Sequence, residues 1–156
     1  MKVVINSCYG GYSISALAIK RLAELNNKPC FFFKTEFNNN KSYHIPCSIE
    51  ECKKSLFFSA YTVPNPDEYT ASAKDWHEMS DEEKTEHNRR YDEISLDIRP
   101  SDRTDPLLIK VIEELGEDAN GSCAKLTIVE IPDGIDYEID EYDGIEHIAE
   151  KHRTWS

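Results

Sequence analysis

The sequence predicts an α+β fold in one domain, on three observations. The chain opens on an apolar triplet, Val3-Val4-Ile5, runs through a one-stripe helical pattern, and reaches a second apolar run at Cys30–Phe33. That order reads as a βαβ-like opening. Further on, Pro132-Asp133-Gly134 separates two strand patterns, a hairpin signal. A parallel opening and an antiparallel close together predict a mixed sheet with helices packed against it. Finally, 156 residues suit a single core, and no internal repeat or long linker divides residues 1–156.

Taken in order, Val3–Ile5 is a strand buried on both faces. Ser13 or Ser15 caps a helix whose apolar positions are Ile14, Leu17, Ala18, Leu22 and Leu25, and which stops near Asn26-Asn27 before Pro29. Cys30–Phe33 is the second strand and Asn38-Asn39-Asn40 a turn. Ser48 with Glu51 makes a capping box for a short helix over Ile49–Lys54, and Leu56-Phe57-Phe58 reads as a strand. Val63-Pro64-Asn65-Pro66 halts regular structure, so residues 62–79 form an irregular surface connection. Ser80 with Glu83 starts a polar, exposed helix that runs to about Tyr91. Ile94, Leu96 and Ile98 alternate as a strand with one wet face.

Asp105 caps and Pro106 begins a helix striped by Leu107, Leu108, Val111, Ile112 and Leu115, which Gly116 ends. Asn120-Gly121 turns into a central strand over Ala124–Ile131. Past Pro132–Gly134, Ile135, Tyr137 and Ile139 face one way and Asp136, Glu138 and Asp140 the other. Asp143-Gly144 opens a last helix with Ile145, Ile148, Ala149 and His152 on its inner side.

The net charge of −12 is unevenly placed: eight Lys/Arg against four Asp/Glu in residues 1–60, and ten against twenty-six in residues 61–156, or +4 and −16. A field of that sign repels phosphate over most of the chain, so direct nucleic-acid binding is not expected. The acidic part is either a solvated surface or a face that docks on a basic partner. No apolar stretch is long enough for a membrane span, and the N-terminus does not read as a signal peptide. Five cysteines, an odd number without a C-x-x-C pair, argue against a disulfide framework or zinc knuckle and for reduced thiols in a cytoplasm.

The candidate chemistry centres on Ser7-Cys8-Tyr9-Gly10-Gly11-Tyr12-Ser13-Ile14-Ser15. A strand-to-helix turn gathers backbone N–H groups at a positive helix end, which favours phosphate or carboxylate. Ser7, Ser13 and Ser15 add hydroxyls, and Tyr9 and Tyr12 can stack on a base or sugar. Neither G-x-x-x-x-G-K-[ST] nor G-x-G-x-x-G is present, so the glycine pair reads equally as a structural corner. Cys8 as a nucleophile requires a base from His44, His147 or His152; otherwise it is an incidental thiol. His147 and His152 are five apart and do not share a helix face, and Asp140, Glu141 and Asp143 do not match a calcium loop, so no metal and no cofactor are expected. Arg99 and Arg103, at a strand end just before a capped helix, suit a bidentate grip on phosphate, or an ion-paired corner. The candidate binding set is Cys8, Tyr9, Gly10, Gly11, Tyr12, Ser13, Arg99, Arg103 and His147.

The two ends carry a resemblance. Val3-Val4-Ile5-Asn6-Ser7-Cys8-Tyr9-Gly10-Gly11-Tyr12-Ser13-Ile14-Ser15 resembles a V-x-I-N-x-C-Y-G-G-F-x-L-S opening, with tyrosine for phenylalanine at position 12. Arg103–Asp105-Pro106 through Leu115-Gly116, Ala124–Asp133, and Tyr142-Asp143-Gly144 through His152-Arg153-Thr154-Trp155 continue it. Together they are similar to a family of small proteins encoded by tailed phages, prophages and some large viruses; residues 36–90 lie outside the likeness. The resemblance implies a setting rather than a reaction: a phage accessory binding protein in the host cytoplasm that inhibits a bacterial antiviral-defence component. Two routes are open, the −16 segment occupying a basic host-protein surface, or the glycine loop with Arg99 and Arg103 sequestering a nucleotide signal. The rival is a small enzyme acting on a nucleotide or ADP-ribose-like group, with Cys8 as nucleophile or Glu146 and His147 as acid–base groups. A virion component is the third possibility.

Overall fold

The computed structural model describes residues 1–38, 41–55, 57–72 and 74–151. Helices and antiparallel sheets together make the α+β fold. Strand β1 (Lys2–Asn6) is followed by α1 (Ala16–Leu25), β2 (Phe31–Asn38), β3 (Lys41–Pro46), α2 (Ile49–Lys53) and β4 (Ser59–Tyr61). Then come α3 (Pro66–Tyr69), α4 (Asp81–Ile94), α5 (Pro106–Leu115), β5 (Leu126–Glu130), β6 (Tyr137–Tyr142) and β7 (Ile145–Glu150).

Among the described residues the strands form three separate antiparallel sheets, β1-β5, β3-β2-β4 and β6-β7, so the expected mixed sheet and βαβ opening are not formed. The reason lies at the two edges of β1. It pairs with β5 from Lys2↔Glu130 to Asn6↔Leu126. The odd-numbered backbone groups bond toward β5, as Ser7 N–H does to the Lys125 carbonyl and the Ile131 N–H to the Met1 carbonyl. The even-numbered amides face the other edge. Val4 N–H donates to the Arg103 carbonyl at 2.9 Å, and Asn6 N–H to Glu146 Oε2 at 2.8 Å. Both edges are thus occupied, and β2 builds its sheet elsewhere.

The helix signals are local and hold. Ser15 Oγ accepts from Ala18 N–H at 3.1 Å to cap α1, and Ser48–Glu51 and Ser80–Glu83 form capping boxes at α2 and α4. Asp105 accepts from Leu107 N–H at 2.9 Å, Pro106 takes the first position of α5, and Gly116 ends it at φ 56°. The apolar stripes of α1 and α5 pack on each other, and α5 on β1, in a core that holds Val4, Ile14, Ala18, Ile19, Leu108 and Val111.

Several further expectations are corrected. The Ile94–Ile98 strand is absent: α4 extends to Ile94, because Tyr91 and Ile94 pack on Phe33 and Tyr61, leaving one bridge from Ser95 to Tyr61. The Leu56–Phe58 strand begins at Ser59 instead, with Leu56 outside the described residues. The expected central strand over Ala124–Ile131 is β5, which pairs only with β1 and leaves Thr127 and Glu130 exposed; β5 and β6 lie in different sheets, so Pro132–Gly134 does not join a hairpin. The last helix is a strand. Asp143 (φ 51°) and Gly144 (φ 86°) are the two-residue turn of the β6–β7 hairpin, with Tyr142 paired to Ile145. His152, assigned to that helix, and Asn39 and Asn40 of the expected turn lie outside the described residues. Residues 62–79 contain α3 and a 3₁₀ turn, Trp76–Glu78.

Candidate functional site

The glycine loop is held by Asn6, the fully buried last residue of β1. Its Nδ2 donates to the Cys8 carbonyl at 2.7 Å and the Gly144 carbonyl at 2.6 Å, and its Oδ1 accepts from Lys125 N–H at 2.8 Å. One amide side chain therefore ties the loop, the hairpin tip and the approach to β5 together. Gly10 (φ 118°) and Gly11 (φ 93°) adopt backbone angles that favour glycine. A Cβ on Gly10 would lie 2.6 Å from the Cys123 carbonyl oxygen, and one on Gly144 2.7 Å from the Gly10 amide nitrogen. The turn is wedged between residues 121–123 and the β6–β7 tip.

Beneath it, Arg103 forks onto Glu146, with Nη1 to Oε2 at 3.0 Å and Nη2 to Oε1 at 2.9 Å. The same Nη1 donates to the Val4 carbonyl at 3.2 Å, and the guanidinium lies over the Tyr12 ring. Both members are largely buried, with side chains 16% and 8% exposed. Arg103 thus joins the core of the site, its charge answered by Glu146. Burial pushes the Tyr12 phenol up to about 12, and its hydroxyl has no hydrogen-bond partner among the described residues.

A cavity of about 380 Å³ opens beside the loop, between the start of α1, the end of α2 and the 120–123 strip. Ile14, Ile98, Phe57 and Phe58 supply apolar surface; Arg99 supplies charge, as does Lys53, which also pairs with Glu50 at 3.5 Å. Its lining contains no Asp or Glu, although the chain has thirty. The Arg99 guanidinium has no ion-pair partner among the described residues; only its backbone N–H is engaged, by Asp97. Phe57, 84% exposed, stands at the rim with its ring free to be covered. Ser13 and Ser15 bring in the first turn of α1, where the amides of Ala16 and Leu17 have no intrahelical acceptor. A second, shallower cavity of about 660 Å³ lies across Gly10 and Arg99 and is lined on its far side by Glu141, Asp143 and Glu146. Gly10 and Arg99 border both.

The predicted residues separate accordingly. Gly10, Ser13 and Arg99 line the first cavity; Gly11, Tyr12 and Arg103 line the second. Cys8 donates weakly to Asn6 Oδ1 at 3.4 Å and the Cys123 carbonyl at 3.5 Å, and no described histidine reaches it. His44 is engaged elsewhere, by Asp67 at 2.6 Å and the Tyr61 hydroxyl at 2.9 Å. Tyr9 is 66% exposed and lines neither cavity. His147 points away on the hairpin, exposed and 3.5 Å from Asp140. Glu146 and His147 are therefore not an acid–base pair, since adjacent strand residues face opposite ways. Lys53, Phe57, Phe58 and Gly121 of the first cavity escaped sequence reasoning. The capping box located α2, but no local signal placed it against α1.

No family model matches the chain, and neither a curated protein nor a solved structure matches it. What the first cavity can hold is set by its lining. Among the described residues its lining carries no carboxylate and no imidazole. Of its two thiols, Cys123 is exposed and Cys52 is buried, the latter pushed up to about 12 by burial first and by the neighbouring Cys47 second. Hydroxyls, the Arg99 guanidinium, the first turn of α1 and aromatic rings are groups that can hold an anion carrying a flat ring. Among the described residues no group of three His, Cys, Asp or Glu side chains is placed to hold a metal, and no helix is long and apolar enough to cross a membrane.

Proposed function

We propose that this chain is a non-enzymatic binding protein that holds a nucleotide in the cavity at the start of α1 and so withdraws a nucleotide signal from a host defence component. The observation that carries the reading is the cavity's charge: no acid lines it in a protein of net charge −12, and its Arg99 guanidinium has no ion-pair partner among the described residues, whereas Lys53 is shared with Glu50 at 3.5 Å. Arg99 has the fork geometry and the freedom to take a phosphate in two hydrogen bonds, and the α1 amides add donors behind it. Phe57 and Phe58 offer ring faces for a base. The volume of about 380 Å³ falls toward the small end of ligand pockets, roughly 300–1,000 Å³. The defence setting rests on the resemblance of the chain's ends to small phage proteins. A lining without a base favours capture over turnover.

The test is a calorimetric and thermal-shift titration against mono-, di- and cyclic nucleotides. A saturable rise in melting temperature with at least one of them is expected. Reversing the charge of Arg99 (Arg99→Glu) should abolish the rise while the protein stays folded. A panel that leaves the melting temperature unmoved, or an Arg99→Glu protein that binds as tightly as the parent, overturns the reading.

A further inference from the structure

Cys47 and Cys52 stand with their sulfurs 3.4 Å apart, the one half-buried and the other buried. Ser48 is the N-cap of α2, so the two cysteines occupy the positions before the cap and four residues into the helix. Those are the positions that an apolar pair fills when it staples a chain to a helix start. Here the staple is made of two thiols. The backbone between them is clamped: Ser48 N–H donates to Glu51 Oε2 at 2.8 Å, Glu51 N–H to Ser48 Oγ at 3.3 Å, and Lys34 Nζ to Glu51 Oε1 at 3.3 Å. With the turn fixed, closing to a bonded S–S distance of about 2.05 Å requires side-chain rotation and small local shifts.

We infer that Cys47 and Cys52 are a redox-active dithiol, which a small-molecule disulfide of the glutathione class converts to an intramolecular disulfide across the first turn of α2. Access orders the steps. Cys47 also lines a separate surface cavity of about 390 Å³ with Lys20, Cys30 and Pro46, whereas Cys52 is only 2% exposed. The Cys47 thiolate attacks one sulfur of oxidised glutathione, forming a mixed disulfide and releasing one glutathione thiolate, which takes up a proton. Cys52 then gives up its proton and attacks the Cys47 sulfur, forming the Cys47–Cys52 bond and releasing the second glutathione. Two thiols are oxidised, one glutathione disulfide is reduced, and both protons leave on the two reduced glutathiones. Burial slows ionisation of Cys52 and makes the second step the slower one; its position beside the target sulfur offsets that cost.

The experiment incubates the folded full chain with excess oxidised glutathione, quenches with acid, alkylates, and maps peptides by mass. The expected product is two hydrogens lighter than the parent, with Cys47 linked to Cys52 and the glutathione adduct only transient. Cys52→Ser should stop at a stable adduct on Cys47, and Cys47→Ser should leave residue 52 unmodified. A stable glutathione adduct on Cys47 of the parent, a Cys30–Cys47 linkage, or reaction confined to Cys8 and Cys123 overturns the inference. Should either variant fail to fold, one equivalent of phenylarsine oxide on the parent decides: it must protect Cys47 and Cys52 together from alkylation, and protection of any other pair defeats the claim.

Discussion

Arg103 and Glu146 meet as a bidentate, largely buried pair at 3.0 and 2.9 Å, 43 residues apart in the chain. Through it the segment before α5 is joined to the β6–β7 hairpin, and both to the edge of β1 opposite β5. Removing one partner leaves the other charge buried and unanswered, which costs about 3–5 kcal/mol. Glu146→Ala and Arg103→Ala should each lower the urea-unfolding free energy by that order. Arg99→Ala, which removes an exposed side chain without an ion-pair partner among the described residues, should stay within about 0.5 kcal/mol of the parent. Two arginines four residues apart thus divide into a structural one and one that borders the proposed binding cavity.

The glycines of the two turns should also separate. Gly144 and Gly134 both have positive φ, 86° and 82°. A Cβ on Gly134 meets open space, whereas one on Gly144 runs into the Gly10-Gly11 backbone. Gly134→Ala bears conformational strain alone, about 1 kcal/mol. Gly144→Ala must in addition push the loop away, so its fall in melting temperature should be clearly the larger. Equal falls would mean that the hairpin tip does not seat the loop.

Hydrogen bonds from Ser48 and an ion pair with Lys34 hold the Glu51 carboxyl at about 2, below its ordinary 4.5. A carboxyl with a depressed folded value adds stability above its unfolded value, and that contribution fades as pH falls toward the folded one. Urea midpoints of the parent and Glu51→Gln should therefore differ by a constant amount above pH 5 and converge between about pH 4.5 and 2. A gap that persists at pH 2 would place the effect of Glu51 outside its charge.

How far these features were legible depends on the range of the forces behind them. The cap of α5 at Asp105-Pro106 and the boxes at Ser48 and Ser80 are settled within four residues, and the sequence displays them. The pairing of β1 with β5 joins residues more than a hundred positions apart and leaves no local trace. Strand β7 was misread for a sharper reason. Its most buried side chain is Glu146, a carboxylate whose partner lies on another segment, so the expected apolar alternation is inverted there. Ile145, Ile148 and Ala149 then mimic a helical stripe. The glycine turn was legible as a turn; its neighbours Lys53 and Phe57 were not, because only the tertiary packing of α2 against α1 brings them in.

Phe57 tests the ring-stacking part of the binding reading. At 84% exposure it contributes little to the core, so Phe57→Ala should leave the melting temperature of the free protein almost unchanged. Base stacking on an aromatic side chain is worth about 1–3 kcal/mol, so nucleotide affinity should fall roughly 5- to 150-fold by calorimetry. An unchanged affinity with a nucleotide that the parent binds would move the base away from this wall.

Tyr12 offers the most discriminating substitution. Its ring is packed under Arg103, yet its hydroxyl is buried without a partner among the described residues, and an unpaired buried polar group is unfavourable by about 1–3 kcal/mol. Tyr12→Phe keeps the ring beneath the guanidinium and removes the orphan, so the variant should be more stable than the parent by about 1 kcal/mol. The pH dependence gives an independent check. Burial raises the Tyr12 phenol from 10.0 to about 12 in the folded protein. Because burial disfavours the phenolate, the unfolded phenol ionises from pH 10 while the folded one stays protonated, so stability is unaffected below pH 10 and falls as pH rises toward 12. The parent should lose stability over that window more steeply than Tyr12→Phe, so the gap between them should widen with pH, read as the difference in urea midpoints from pH 9 to 12. A Tyr12→Phe protein less stable than the parent at pH 7 would mean that the hydroxyl does have a partner in solution.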